Sequence, residues 1–408
     1  MADNTSLLEW LDACPTPFHV VGRAASVLDA AGFTSVDRLA DELPRKGYVI
    51  RDGSIAAWSR GASGARFRVV GGHTDSPNLR VHPNPDMSAA GWSQLGIEIY
   101  GGVLLNSWLD RDLGIAGRVV GRDGRVTEFC DRSALARVPQ LAVHLDREVN
   151  ERGVLLDRQS HMMPVWATTT MNFREWLEST SGVRDIVAFD AHLFDVSPAS
   201  ILGADGSLIA SGRLDNQLSC WAATTALAAH EPGEHTAVMV LNDHEEVGSD
   251  SATGASGPLL ESVLTAVCEA DGLGASARHD VFARSFCLSA DNAHAVHPNY
   301  QERHEPRHAP VINRGPALKL NGNQRYATSA RGAALVRTLA DAHGVPLQTF
   351  VTRNNMPCGS TIGPITATRL GIDCIDVGVP QLSMHSAREL CGAEDPARLV
   401  TLISAFLA

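Results

Sequence analysis

Apolar residues recur at helical spacing over residues 6–31, with a break at Pro15 and Pro17, and then give way to a strand-like run, RFRVVGG (66–72), that ends on HTDSP. From about residue 78 the texture changes. Short alternating stretches, among them QLGIEIYGG, GIAGRVVGRDG and RVTEFCD, are separated by Gly and Asp-Gly turns, which predicts antiparallel strands as far as the region near Pro198. Beyond it SGRLDNQ precedes a small-residue helix, LSCWAATTALAAH. Strand and helix patterns then alternate through TAVMVLND, PLLESVLTAVCEA, SFCLSADN, ARGAALVRTLADAHG, PLQTFVTR and IDCIDVGVP. That repeat predicts an α/β layer with a largely parallel central sheet. The expected organisation is a discontinuous α/β domain, residues 1–77 and 195–408, with a β-rich domain inserted over 78–194.

Bulk properties agree with this division. A chain of 408 residues exceeds the usual single-domain size, and 44% hydrophobic with 20% charged residues is ordinary for a globular protein. A formal net charge of -12 disfavours nucleic acid and anionic membrane surfaces as partners. The N-terminus MADNTSLLEWLDACPTPFHVV has neither a basic leader nor a sustained apolar core, so a cytoplasmic protein is expected. The eight cysteines, at 14, 130, 220, 268, 287, 358, 374 and 391, include no C-x-x-C pair and read as isolated thiols of a reducing compartment.

The segment LNDHEEVGSDS (241–251) is the most unusual stretch, because four titratable residues follow an apolar strand in a row: Asp243, His244, Glu245 and Glu246. Three readings stand open: a solvated turn, a metal ligand beside a general base, or half of a zinc-protease helix. The last fails, since that motif needs a second His four residues after the first and position 248 is Gly. Gly248 and Ser249 argue for a turn instead. Polar residues at the carboxyl ends of strands are where α/β sheets form ligand sites. HTD (73–75), RLDN (213–216), DHEE (243–246), SADN (289–292) and MHS (384–386) all fall at such places. Together they offer a His, Asp and Glu set suited to a Zn²⁺-type cation pair. Each has a bland alternative, with Asp215 as a helix cap and Asp291 as an Asx-turn. Five at one sheet edge weigh against it.

GGHTDSP, SGRLDNQ, NDHEEVGS, SADNAHAVHPNY, GPALKLN, QRYA, CGSTIGP and QLSMHSAREL, in this order, closely resemble the M18 aminopeptidases, the aspartyl aminopeptidase family. The resemblance covers essentially the whole chain. It implies a zinc-peptidase-like α/β catalytic domain and an inserted β-rich dimerisation domain. It also implies two divalent metal ions per subunit, zinc first, with Co or Mn as alternatives. The ligands it implies are His73, Asp215, Glu246, Asp291 and His385, with Asp215 bridging the two ions. Asp75 would orient the imidazole of His73, and Glu245 would be the general base. The same resemblance implies His294, Lys319 and Tyr326 as substrate-binding residues, and His144, in QLAVHLDREVN, as a group that enters a neighbouring subunit's active site. His144 would there help to hold the tetrahedral intermediate. His244 has no role in this scheme and is expected to pack or face solvent. The implied partners are peptides with acidic N-termini and further copies of the chain, as a dimer-based dodecamer.

The sequence departs from the family pattern at Asn355 in TRNNMPCGSTIGP, where Asp is expected, which removes one negative charge beside a glycine-rich loop. GLGASA (272–277) follows a helix where a dinucleotide fingerprint requires a strand, and no G-x-S-x-G elbow is present. Two rivals to acidic specificity remain. One is the same hydrolysis on neutral N-terminal residues such as Leu. The other is a silent assembly or cargo scaffold, against which the intact ligand set argues.

Overall fold

A computed structural model describes residues 3–40, 42–62, 64 and 66–408; Met1, Ala2, Asp41, Ser63 and Ala65 lie outside the described residues. The prolines divide the N-terminal helical region as expected. Thr5–Ala13 ends before Pro15, and Pro17 opens Pro17–Ala30, in the first turn, where its missing N–H removes no helix bond.

Among the described residues, a nine-stranded sheet runs in the order Thr34–Ser35, Lys46–Arg51, Ser54–Ser59, Thr236–Asn242, Phe67–His73, Phe286–Ala290, Asp373–Gly378, Ala317–Leu320, Gln348–Val351. Five of its eight pairings are parallel, so the central sheet is mostly parallel. Thr236–Asn242 is buried along its whole length, as a strand covered on both faces should be. One face packs on helices Pro17–Ala30, Leu214–Ala228 and Asp395–Leu407 through a core that includes Leu28, Leu218, Met239, Ile375 and Phe406. The other packs on Leu259–Ala270 and Ala275–Ala283 through Val69, Val238, Leu264 and Phe282.

The strands between Asn78 and Asp195 pair only among themselves, in a six-stranded antiparallel sheet. Their own core contains Leu79, Leu95, Ile115, Phe173 and Leu193. The first and last of these strands lie side by side, with Leu79 opposite Leu193 and Arg80 opposite His192. Arg118 joins this sheet to the rest of the molecule: it stacks 4.0 Å from the Phe18 ring and bonds Asp52 at 2.8 Å and Asp190 at 2.9 Å.

A third sheet was not expected. Ser200–Leu202, Leu208–Ser211, Glu389–Gly392, Pro380–Leu382 and Ala293–His294 form five short strands beside the central sheet's carboxyl edge. The architecture is thus α/β with a mostly parallel central sheet and additional sheets. All eight cysteines are free. No helix among the described residues is long and apolar enough to cross a membrane.

Candidate metal centre and active site

Three neighbouring parallel strands, Thr236–Asn242, Phe67–His73 and Phe286–Ala290, end together. His73 closes the middle one, the DHEE turn follows the first, and Asp291 follows the third. Asn242 lies directly opposite His73, which brings the DHEE turn to the HTD loop. Asp215 stands at the start of Leu214–Ala228, where the backbone of Asp215 and Asn216 is not helical. His385 follows the strand Pro380–Leu382 of the small sheet. Five segments far apart in sequence thereby converge.

The arrangement is centred on Asp215. Its Oδ1 lies 3.4 Å from His73 Nε2 and its Oδ2 lies 3.5 Å from His385 Nε2, so one carboxylate faces both imidazoles. Asp291 Oδ1 is 4.0 Å from His73 Nε2, and Glu246 Oε2 is 3.3 Å from His385 Nε2. Two sets of ligand-capable atoms result, His73–Asp215–Asp291 and Asp215–Glu246–His385, each gathered within 4.8 Å. Glu245 falls in a third group with His73 and Glu246.

Both imidazoles are held in the orientation that this needs. His73 Nδ1 donates to the carbonyl oxygen of Asp75 at 3.0 Å, and His385 Nδ1 donates to that of Gly102 at 3.1 Å. A carbonyl can only accept, so each Nδ1 carries hydrogen and each Nε2 is the atom turned to the carboxylates. The Asp75 side chain fixes the DHEE turn: it accepts from the amides of Glu245 and Glu246, both at 3.1 Å, and from Tyr100 Oη at 2.8 Å. Glu389 does the same elsewhere, accepting from the amides of Asp215 at 2.9 Å and His385 at 2.7 Å. His244 takes the left-handed backbone conformation that starts the turn, with φ 62°, and its Nδ1 meets Ser251 Oγ at 2.8 Å. Gly248, φ 102°, ends the turn in a conformation that glycine tolerates best.

Crowded acids in a buried place resist ionisation. Burial pushes Glu245 up to about 7, with Asp291, Asp75 and Asp215 adding to the rise against His73. Burial likewise raises Asp291 to about 6, against the pull of Lys319, and raises Glu246 well above the carboxylate range, with Asp215 adding to it. Burial alone would lower His385, but Asp215 and Glu246 outweigh it and lift the imidazole to about 10. For His73 the same contest, won by Asp215 and Asp75, ends well above the usual value. The cluster therefore calls for positive charge.

Two atoms mark where it is missing. Asp215 Oδ1 and Glu246 Oε1 are buried carboxylate oxygens without a hydrogen bond; the 3.4 Å contact of Asp215 Oδ1 with His73 is not aligned as one. An orphaned buried carboxylate oxygen costs more than most single contacts return, and a divalent cation is the partner that matches a His-and-carboxylate donor set. The residues fit a metal.

The expected substrate-binding residues fare differently. His294 is exposed at the end of the short strand Ala293–His294, and desolvation by the surrounding protein, with Lys319 adding repulsion, pushes its imidazole down to about 4. Tyr326 is buried against Phe350, with Lys319 Nζ 5.0 Å from its ring. Lys319, one of only two lysines in the chain, is 2% exposed. Its Nζ donates to Asn292 O at 3.0 Å and lies 3.7 Å from Asp291 Oδ2. It stands beside Asp291 and is buried rather than in an open pocket. His144 is exposed on a loop between the strands Val126–Ala136 and Val165–Ala167. Asn355 lies on an exposed turn. Sequence reasoning missed Glu389, Tyr100 and Gly102. The doublet of glycines in IEIYGG was the available signal for the last two.

The family described as Aminopeptidase I zinc metalloprotease (M18) matches residues 10–407. A probable M18 family aminopeptidase 2 of Streptomyces coelicolor is 48% identical over 416 residues, covering 98% of this chain and 96% of that one. Among solved structures, a chain of the Ape4 and Nbr1 complex superposes with a TM-score of 0.92 at 35% identity, over 98% of this chain and 85% of that one. The S. cerevisiae mApe1 dodecamer superposes with a TM-score of 0.84 at 29% identity, over 98% and 94%. The chain belongs to the M18 family, and it is a metalloaminopeptidase.

Proposed function

We propose that this M18 metalloaminopeptidase holds two divalent cations, zinc first with Co or Mn as alternatives, and removes an N-terminal residue, preferably Asp or Glu, from peptides. The observation that carries the reading is the Asp215 carboxylate, one oxygen toward each histidine and one of them buried without a hydrogen bond. His73 and Asp291 would hold one cation, Glu246 and His385 the other, with Asp215 shared. A bound cation pair would supply Lewis-acid polarisation of the scissile carbonyl and a more acidic water. Glu245 is the general base: it accepts the proton of the attacking water and returns it to the departing amine. Its neighbour is the better ligand because Glu246, not Glu245, lies within ion-pair distance of His385. Asp75 orients His73 and holds both glutamates in register through their amides. The silent-scaffold alternative leaves the unpaired oxygens of Asp215 and Glu246 without a purpose.

His294 and Tyr326 line the wall that would receive the first residue. For the acidic preference, Lys319 is the positive charge nearest that wall. A neutral first residue such as Leu is the second reading, favoured by the burial of Lys319 and by the apolar group Ala293, Ala317, Tyr326 and Phe350. His144 acts in a neighbouring subunit, where its imidazole would donate to the oxyanion. The apolar loop that carries it supports this, with Leu141, Val143, Leu145 and Leu155 exposed. Residues 78–194 would then be the dimerisation domain of a dimer-based dodecamer working in the cytoplasm, and the yeast relative is itself described as a dodecamer.

The test is a panel of aminoacyl p-nitroanilides on the purified protein, before and after chelation, with Lys319→Met in parallel. Activity on Asp and Glu substrates, lost with chelator and restored by Zn²⁺, Co²⁺ or Mn²⁺, is expected. Lys319→Met should lower turnover of acidic substrates about tenfold to a hundredfold more than neutral ones, the range of one charge-assisted bond. Equal losses would favour the neutral reading and leave Lys319 as the support of Asp291.

A further inference from the structure

The strand Trp92–Tyr100 belongs to the antiparallel sheet, yet its last residue and the two glycines after it sit against the metal centre of the same chain. Tyr100 Oη reaches Asp75 Oδ2 at 2.8 Å, on the side of His73. Two residues later the chain meets the other histidine: His385 Nδ1 donates to Gly102 O at 3.1 Å, and the Leu104 amide donates back to His385 O at 3.0 Å. Ser107 Oγ accepts from the Ala387 amide at 2.9 Å and extends the same seam. The glycines allow the approach. A Cβ on Gly102 would stand 3.0 Å from His385 Nδ1, and one on Gly101, φ 75°, would stand 3.1 Å from Glu246 Cβ.

We propose that Tyr100, Gly101 and Gly102 are positioning residues for both halves of the metal centre, so that the inserted sheet builds its own subunit's site as well as serving as an interface. This rests on the metal reading above and adds a second role for the insert, in cis. The physical reason is that a ligating imidazole is useful only in one tautomer and one orientation, which the group on its other nitrogen sets. For His385 that group is a carbonyl of the insert. For His73 it is the Asp75 residue, whose carboxylate a phenol of the insert holds.

The experiment measures Zn²⁺ affinity of the holoenzyme by competition with a chromogenic chelator, alongside kcat and KM, for Tyr100→Phe and Gly102→Ala. Phe keeps the ring, which packs edge-on to His192 at 6.3 Å, and removes only the donor. Tyr48→Phe is the control, because it deletes a similar phenol–carboxylate bond, to Asp29 at 2.9 Å, in a helix–strand contact that includes no ligand residue. Tyr100→Phe should lose about tenfold to a hundredfold in Zn²⁺ affinity or kcat, the usual cost of removing an outer partner of a metal ligand, with KM little changed. Gly102→Ala should move the same way, and Tyr48→Phe should leave the competition curve unmoved. A Tyr100→Phe protein with wild-type affinity and kcat overturns the proposal, as does a Tyr48→Phe protein that loses as much. Wild-type protein that takes up no Zn²⁺ would instead overturn the metal reading on which the proposal stands.

Discussion

The metal centre and the loop around His144 are opposites in how they treat their side chains. At the centre His73, Asp75 and Asp215 are nearly inaccessible, and charged groups are kept in place by amides, carbonyls and a phenol. In the loop Leu145 and Leu155 are each 74% exposed, and His144, next to Leu145 in sequence, is exposed as well. Buried charge without solvent calls for a cation; exposed leucine without a neighbour calls for a second surface. The first region draws every proposed ligand from one chain. The second is half of something.

Four measurements would break or sharpen that contrast. Glu245→Gln should reduce turnover by about 10²- to 10⁴-fold, the range for general bases, while metal content measured by elemental analysis stays at the wild-type level. Emptied sites or near-native activity would reverse the assignments of Glu245 and Glu246. His144→Ala should lower kcat by about 10²- to 10³-fold, as loss of an oxyanion donor does, with the metals retained. Mixing it with Glu245→Gln under exchange should restore part of the activity, because one site in a mixed dimer then has an intact Glu245 and a partner's intact imidazole. Continued inactivity despite demonstrated exchange would confine His144 to its own subunit. Smaller is the expected effect of pH on metal uptake. His385, lifted to about 10, and Asp291, lifted to about 6, hold protons that a metal must displace, so affinity falls as pH falls. Calorimetry should find about a tenfold loss per pH unit for each proton displaced, with the Asp291 proton added as pH drops through 6. Smallest for catalysis in the intact assembly, Leu145→Asp with Leu155→Asp should shift sedimentation toward smaller species at low concentration while each chain keeps its metals. Unchanged assembly would show that the leucines cover nothing.

The sequence made some of this readable for identifiable reasons. The strand–helix alternation after residue 195 showed because Thr236–Asn242 and Phe286–Ala290 are mostly apolar runs, and Glu246 and Asp291 follow those runs while Asp215 stands at the start of a helix. The five-stranded sheet did not show, since strands of two to four residues such as Ala293–His294 and Glu389–Gly392 carry no period. Glu389 was hidden with it. The burial of Lys319 was hidden too, because one charged residue in the four-residue strand Ala317–Leu320 says nothing of what lies above it. Tyr100 reads as an ordinary strand aromatic until the fold brings Asp75, twenty-five residues earlier, to its hydroxyl.

Leu79 and Leu193 sit opposite each other across a ladder, so their Cα atoms are only about 5 Å apart. In chain-path terms residues 80–192 are a detour that returns to its starting point. An engineer could cut it out and reconnect the ends with a tight turn, and the α/β core would face no topological obstacle. The excised piece would nevertheless take with it the hydroxyl on Asp75 and the carbonyl on His385. A chimaera that exchanges this insert between relatives must therefore graft the stretch from Tyr100 to Ser107 to match its host, or the transplanted sheet will arrive with the wrong hands on both histidines.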